Sequence, residues 1–233
     1  MASLPVNLPS ITSSSLHYSP PVSTFTTSST SCGEQGLFTL TFDDLPNFHP
    51  INATDITQQP PIFSPYHHLS FSHGFVYANQ PDQPFRPASP PHVAAFLAVG
   101  TELRSNGDSD PGEIGDGPRA ADSAYWFDAL EVFVGCDNDG PHGCNMTLTG
   151  YKWDPVTHDE MPAVTHTFML PPCVGFVDCR LSQVAFPSTF RGLSGLQIQA
   201  FVKDDAKMFF IDDLRLSWSD TSCAAGLLRA ASW

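Results

Sequence analysis

The chain has 233 residues, 24 of them Asp or Glu and only 10 Lys or Arg, for a formal net charge of −14. So few basic side chains cannot build the positive patch that duplex nucleic acid or an anionic membrane surface requires. With 18 Phe, 22 Pro and 16 Gly, the composition favours many short strands joined by turns over long helices.

Residues 1–31 are dominated by Ser, Thr and Pro, the composition of a disordered or O-glycosylated arm. They lack the basic start and continuous apolar stretch of a secretory leader. Order is expected from Cys32 to Cys223. β-prone stretches separated by Pro, Gly, Asn and Asp predict strands at Leu37–Phe42, His68–Phe71, Phe75–Ala78, His92–Ala98, Trp126–Val134, Asn145–Tyr151, Val164–Met169, Arg180–Phe186, Gly195–Val202 and Met208–Trp218. Between Thr101 and Ala124, a run rich in Gly, Asp, Ser and Pro reads as a flexible acidic loop. Its Asp108, Asp110, Glu113 and Asp116 do not follow the calcium-loop spacing, which needs a bidentate Glu at the twelfth position. Ala120–Ala124 and Ala224–Ala231 offer only short turns of helix, and residues 224–233 read as a tail. Strands of this number and length predict an all-β fold, a jelly-roll sandwich of two antiparallel sheets. No apolar run approaches membrane-spanning length.

Six cysteines in an acidic, loop-rich chain point to disulfides and an oxidising, extracellular compartment. Cys136 and Cys144 flank the turn-rich Asp137-Asn138-Asp139-Gly140-Pro141, and Cys173 and Cys179 bracket another short loop. Cys32 then pairs with Cys223, tying the start of the ordered region to its end. The sequons Asn52-Ala53-Thr54 and Asn145-Met146-Thr147 fit the same compartment. The leader that export requires then lies upstream of this chain, or export is unconventional.

The two ends of the ordered region mirror each other: Leu37-Phe38-Thr39-Leu40-Thr41-Phe42-Asp43-Asp44 and Phe209-Phe210-Ile211-Asp212-Asp213-Leu214-Arg215-Leu216-Ser217-Trp218. Strand alternation puts Phe38, Leu40 and Phe42 on one face with Asp44 next in line. It likewise puts Phe210, Leu214, Leu216 and Trp218 on one face with Asp212 among them. A carboxylate there needs a partner. If the ends meet, Asp44 and Asp212 approach a single calcium ion, which takes hard oxygen ligands; the alternative is that each accepts backbone hydrogen bonds.

The Phe42-Asp43-Asp44 opening and the Phe210-Ile211-Asp212-Asp213-Leu214 closing strand resemble the ends of galactose-binding-like jelly rolls, among them carbohydrate-binding modules of polysaccharide-degrading enzymes. That resemblance implies a structural calcium near Asp43, Asp44, Asp212 and Asp213 and a carbohydrate or cell-wall polysaccharide as partner. Tyr125–Gly135 followed by Met146–Tyr151 is similar to the central hairpin of small secreted fungal β-sandwich proteins.

Catalytic signatures are missing: there is no Gly-x-Ser-x-Gly, His-Glu-x-x-His or phosphate-binding glycine loop. Asp128 and Glu131 have different strand parity and, without a bulge, project to opposite faces, against a glycosidase pair. His67, His68 and His73 form one local cluster, which reads as loop histidines before it reads as a metal site. A sugar site combines a flat aromatic ring with hydrogen-bonding neighbours. The candidates are Trp153, Tyr151, Tyr66, Tyr77 and Tyr125, with Tyr151-Lys152-Trp153-Asp154 the most attractive. Trp126 and Trp218 read as core. The expectation is a non-catalytic, secreted carbohydrate-binding protein, with a structural or protein-interacting role as the alternative and, behind both, a β-sandwich glycan hydrolase or lyase.

Overall fold

A computed structural model describes residues 32–48, 58–79, 84–97 and 111–232. In chain order the strands are β1 (Leu37–Leu40), β2 (Ser70–Phe71), β3 (Phe75–Asn79), β4 (Phe85–Arg86), β5 (His92–Phe96), β6 (Gly112–Gly115) and β7 (Phe127–Cys136). There follow β8 (Cys144–Asp154), β9 (Asp159–Leu170), β10 (Cys179–Arg180), β11 (Ser182–Ala185), β12 (Gly195–Val202), β13 (Asp205–Ala206) and β14 (Phe209–Trp218), then a helix α1 (Cys223–Ala231).

The strands form two antiparallel sheets. The first runs β11-β7-β14-β5-β3 with β1 also on β14; the second runs β2-β6-β12-β8-β9 with β13 on β12. From β6 onwards the chain crosses repeatedly between the sheets, with the β8–β9 and β12–β13 pairs each staying within the second, a jelly-roll habit of connection. Between the sheets lies one core, including Leu40, Phe127, Met146, Leu148, Ile198, Leu216 and Trp218.

Part of the outer face of the first sheet is also covered. Val76, Ala78, Val93, Ala95, Leu97 and Phe210 pack there against Phe85 and Cys179, from the short parallel pair β4–β10. Strands apolar on both faces, such as His92-Val93-Ala94-Ala95-Phe96, read as continuous hydrophobic runs for this reason. The rest of that face, around Glu131, Gln183 and Arg215, is wet, as is the outer face of the second sheet.

The predicted disulfides are all present: Cys32–Cys223, Cys136–Cys144 and Cys173–Cys179. The C-terminal residues are no tail. Ser222 caps α1, its hydroxyl accepting from Ala225 N at 3.2 Å, and Glu34 N donates to Gly226 O at 3.1 Å. A Cβ at Gly226 would stand 2.1 Å from Cys32 O, so the helix seats against the chain start only because that residue is glycine. The acidic-loop expectation is also corrected. Gly112–Gly115 is an interior strand between β2 and β12, followed by 3-10 turns at Gly117–Arg119 and Ser123–Tyr125. Gly-Glu-Ile-Gly carries one apolar residue, too few to show a period. Residues 101–110 lie outside the described residues.

Strand parity failed in β14 and β7 because both are bulged. Their pairing shifts between Asp212 and Arg215 and again between Arg215 and Leu216, with Asp213 at φ 44. A bulge reverses which alternate residues face inward. Phe209 and Ile211 therefore join Leu214, Leu216 and Trp218 in the central core, while Phe210 belongs to the outer cluster.

Candidate functional site

The open face of the second sheet is polar by alternation. On β8, Met146 and Leu148 are fully buried, while Asn145 is exposed and Thr147 and Thr149 are half-buried between them. Three neighbouring strands are bridged across this face: Tyr151 donates to Gln197 Oε1 at 2.8 Å, and Gln197 Nε2 donates to Glu113 Oε2 at 3.0 Å. Thr147 and Thr167 hydroxyls pair at 3.2 Å on β8 and β9. A register shift at Gly150/Tyr151 then sets Trp153 opposite Glu160. Tyr151 and Trp153 thus share the wetted face, both half-buried. Burial, with the charges of Glu113 and Glu160, pushes the Tyr151 phenol up, so it remains a neutral hydrogen-bonding group.

Beside Tyr151 the sheet has a glycine floor, because Gly195 of β12 pairs with both Gly115 of β6 and Tyr151. A Cβ on Gly195 would lie 3.1 Å from Glu160 Oε1 and 3.6 Å from Tyr151 Cβ. The Glu160 carboxylate therefore hangs over bare backbone. Burial raises it despite a hydrogen bond with Ser194, and its Oε1 is buried without a hydrogen-bond partner. Asp116, next after β6, donates from its amide to Ser194 O at 2.8 Å. Its side chain is fully buried with neither oxygen partnered. Burial, then the charge of Glu160, pushes it up to about 10. Nothing in a one-dimensional pattern marks Glu160 or Asp116 as neighbours; they meet only through β6–β12–β8–β9 pairing.

The other predicted ring platforms lie elsewhere. Tyr66, Tyr77 and Tyr125 are core residues, at most 6% exposed. Tyr66 donates to Asp44 Oδ1 at 2.5 Å, Tyr77 donates to Pro46 O at 2.8 Å, and Tyr125 lies 3.9 Å beneath the Arg119 guanidinium. Each ring is apolar enough to bury once its hydroxyl or face has a partner. Trp126, read as core, is half-buried, its indole donating to Ala120 O at 2.8 Å; Trp218 is core, 3% exposed.

The four aspartates of the chain ends divide between two places. Asp44 meets Tyr66 and, at 3.0 Å, His67 Nε2. Burial pushes its carboxyl up, but these two partners together outweigh that and hold it below its ordinary value. The other three gather around the segment before β5. Asp212 Oδ2 accepts from Ala88 N and Ser89 N at 2.6 and 3.0 Å, and its Oδ1 from Asp213 N at 2.8 Å. Asp213 accepts from the Ser89 hydroxyl at 2.8 Å, and Asp43 from His92 N at 3.1 Å. Amide hydrogens thus occupy the directions from which a cation would approach Asp212, and the residues around it do not fit a calcium ion. Among the described residues, no group of three or more His, Cys, Asp or Glu is placed to hold a metal.

His67 and His68 have positive φ, in a turn, and His68 pairs with Glu34 Oε2 at 2.9 Å. The bulge in β7 brings Asp128 and Glu131 to the same outer face, contrary to their parity. Each is tied to its own cation, Asp128 to Arg191 at 3.5 Å and Glu131 to Arg215 at 3.1 Å. Asn145 is exposed at the far end of β8 from Trp153, while Asn52 lies outside the described residues.

Fold and site together define a disulfide-stapled antiparallel β-sandwich whose first sheet is partly covered on its outer face and whose second sheet has a polar one. The chain belongs to the family described as Domain of unknown function (DUF7371), which matches residues 34–229. No curated protein sequence matches it. Solved structures similar to it include a DUF4465 family protein from Bacteroides caccae, 13% identical with a TM-score of 0.48 over 77% of this chain and 98% of that one. A C-terminal family 22 carbohydrate-binding module of Clostridium thermocellum Xyn10B is 9% identical, with a TM-score of 0.40 over 76% and 99%. TmCBM61, solved with β-1,4-galactotriose, is 10% identical with a TM-score of 0.33 over 73% and 98%. None of these is a small fungal protein, and with TM-scores below 0.5 they carry no argument about this chain's ligand.

Proposed function

We propose that this protein is a non-catalytic extracellular carbohydrate-binding domain whose ligand lies on the open face of the second sheet, over Gly195. The observation that supports it is the hydrogen-bonded line Tyr151–Gln197–Glu113, which crosses three strands beside the Trp153 ring. A pyranose presents an apolar C–H face and a rim of hydroxyls. Trp153 offers the ring, and Gln197 and Glu113 offer donors and acceptors, with Glu160 overhanging the Gly195 backbone beside them. The three disulfides support an oxidising compartment. The paired Asp128–Arg191 and Glu131–Arg215 support a non-catalytic reading, since an acid–base pair must be free to exchange protons.

Trp153→Ala and Gln197→Ala, made separately and tested on a polysaccharide and oligosaccharide array, are expected to lose at least tenfold in affinity without a change in melting temperature. Binding that survives both substitutions would move the ligand off this face.

A second reading is favoured by one feature. The disulfide-closed loop Cys173–Cys179 exposes Val174, Val177 and Phe176 beside Met169. A covalently closed apolar tip suits a protein partner, and a blank glycan array with retained folding would favour it.

A further inference from the structure

We propose that Asp116 and Glu160 together hold a divalent cation of the calcium class, between the loop that follows β6 and the start of β9. The inference shares Glu160 with the carbohydrate reading but does not depend on it, and it concerns neither Asp44 nor Asp212.

The starting observation is a buried carboxylate with nothing to satisfy it. Asp116 has no exposed surface, and neither of its oxygens meets a hydrogen-bond donor. Buried carboxylates are ordinarily stabilised by amide donors, as Asp212 is, or by a paired cation. The charge of nearby Arg119 favours the ionised carboxyl, but its guanidinium makes no hydrogen bond to it. Its guanidinium donates to His68 O and lies over the Tyr125 ring.

A second carboxylate oxygen in the same state is Glu160 Oε1. The two groups flank the same pair of residues. Asp116 is anchored through its amide to Ser194 O, and Glu160 bonds to Ser194 and overhangs Gly195. They are near enough that the Glu160 charge disfavours ionisation of Asp116. Two carboxylates presenting three unpartnered oxygens repel unless something positive sits between them. A shared proton answers part of the repulsion; a cation answers all of it and uses every orphaned oxygen.

The donor set selects the ion. It is oxygen only, without imidazole or thiolate, which suits a hard cation rather than zinc or copper. Calcium accepts irregular geometry and can complete its shell with water, whereas magnesium demands a near-ideal octahedron. Three protein oxygens place the affinity at the weak end of the calcium range, on the order of 10⁻⁴–10⁻³ M, where extracellular modules operate. The ion would tie the β6 loop to β9, an edge strand among the described residues, paired with β8.

The test uses the full oxidised chain in thermal melts and isothermal titration, with a chelator or with calcium up to about 10 mM, some tenfold above that range. Calcium is expected to raise the wild-type melting temperature by about 3 °C and to give a saturable heat. Both responses should vanish in Asp116→Asn and in Glu160→Gln and persist in Asp212→Asn. With chelator present, Asp116→Asn is expected to melt above wild type at neutral pH, because the amide spares the folded chain the cost of protonating a buried carboxyl. Should Asp116→Asn fail to fold, Glu160→Gln, half-buried near the start of β9, decides the question alone. A wild-type protein indifferent to calcium, or variants that keep the full response, would overturn the site and leave the two carboxyls sharing a proton. Because the readout is a melt and a metal titration, its failure is distinct from a failure of sugar binding.

Discussion

Arg229 donates from Nε and Nη2 to the main-chain oxygen of Glu34, at 3.0 and 2.6 Å, across a sequence separation of 195. Nη2 also donates to Asp220 O at 3.0 Å, and Nη1 to Ala124 O. The guanidinium, fully buried, lies 4.7 Å from the Trp218 ring. It answers carbonyls from the chain start, the loop before β7 and the loop before α1. Arg229→Ala leaves those oxygens unanswered and is expected to cost about 2–5 kcal/mol, measured by urea unfolding. A loss below about 0.5 kcal/mol would mean that water replaces the guanidinium.

The Cys32–Cys223 bridge spans a sequence separation of 191 and acts beside Arg229. In the chain-entropy model, a loop of this length contributes about 5 kcal/mol. Cys32→Ser with Cys223→Ser is expected to lower stability by up to that amount and to expose the α1 amides to hydrogen exchange first. Uniform acceleration across both sheets would instead show that α1 unfolds with the sandwich.

Asp212 governs part of the pH dependence. Burial raises its carboxyl from 3.8 to about 7, against the pull of the Ser89 amide. The unfolded chain therefore releases this proton at lower pH than the folded one. Its contribution to stability is complete below about 3.8 and declines as pH rises through about 7. Melts across that window should fall with pH in wild type and fall less steeply in Asp212→Asn. An equal offset at every pH would assign the effect of Asp212 to its hydrogen bonds rather than to its charge. Asp116 loses its proton over a window reaching to about 10, so the difference between the two curves isolates Asp212.

Two paired glycines separate fold from site. At Gly115 a Cβ would stand 2.7 Å from Ser194 O and 2.9 Å from Gly195 Cα, both main-chain atoms; at Gly195 the nearest atom is the movable Glu160 Oε1 at 3.1 Å. Gly115→Ala is expected to destabilise by about 1–3 kcal/mol, the range for overpacking. Gly195→Ala should keep the melting temperature within a degree or two, about what a change under 0.5 kcal/mol produces, and weaken glycan binding by filling the floor. Unaltered glycan affinity in Gly195→Ala would place the ligand elsewhere.

Most of the long strands, the three disulfide pairs and the two-sheet class were legible in the sequence. Their signals are local: β-prone runs between turn residues, and short cysteine spacings that leave the long bridge by remainder. Trp153 and Tyr151 were singled out as rings beside polar residues at the end of an expected strand, which the structure extends through both as β8. Tyr66, Tyr77 and Tyr125 carried the same local signal and turned out buried, since burial depends on what packs against a turn.

Side-chain direction along a strand was settled by the sequence only where the strand is regular. In β14 and β7 one inserted residue reversed the faces of Asp212 and Glu131, and no composition announces a bulge. The glycine-rich β6 was invisible because its pairing with β12 rests on main-chain hydrogen bonds, to which its side chains contribute little. The sequence by itself determined the element types and the covalent staples, through period-2 patterning, turn chemistry and cysteine spacing. Tertiary structure alone decided which sheet face stays open and that Asp116 meets Glu160, because both follow from pairing between strands distant in the chain.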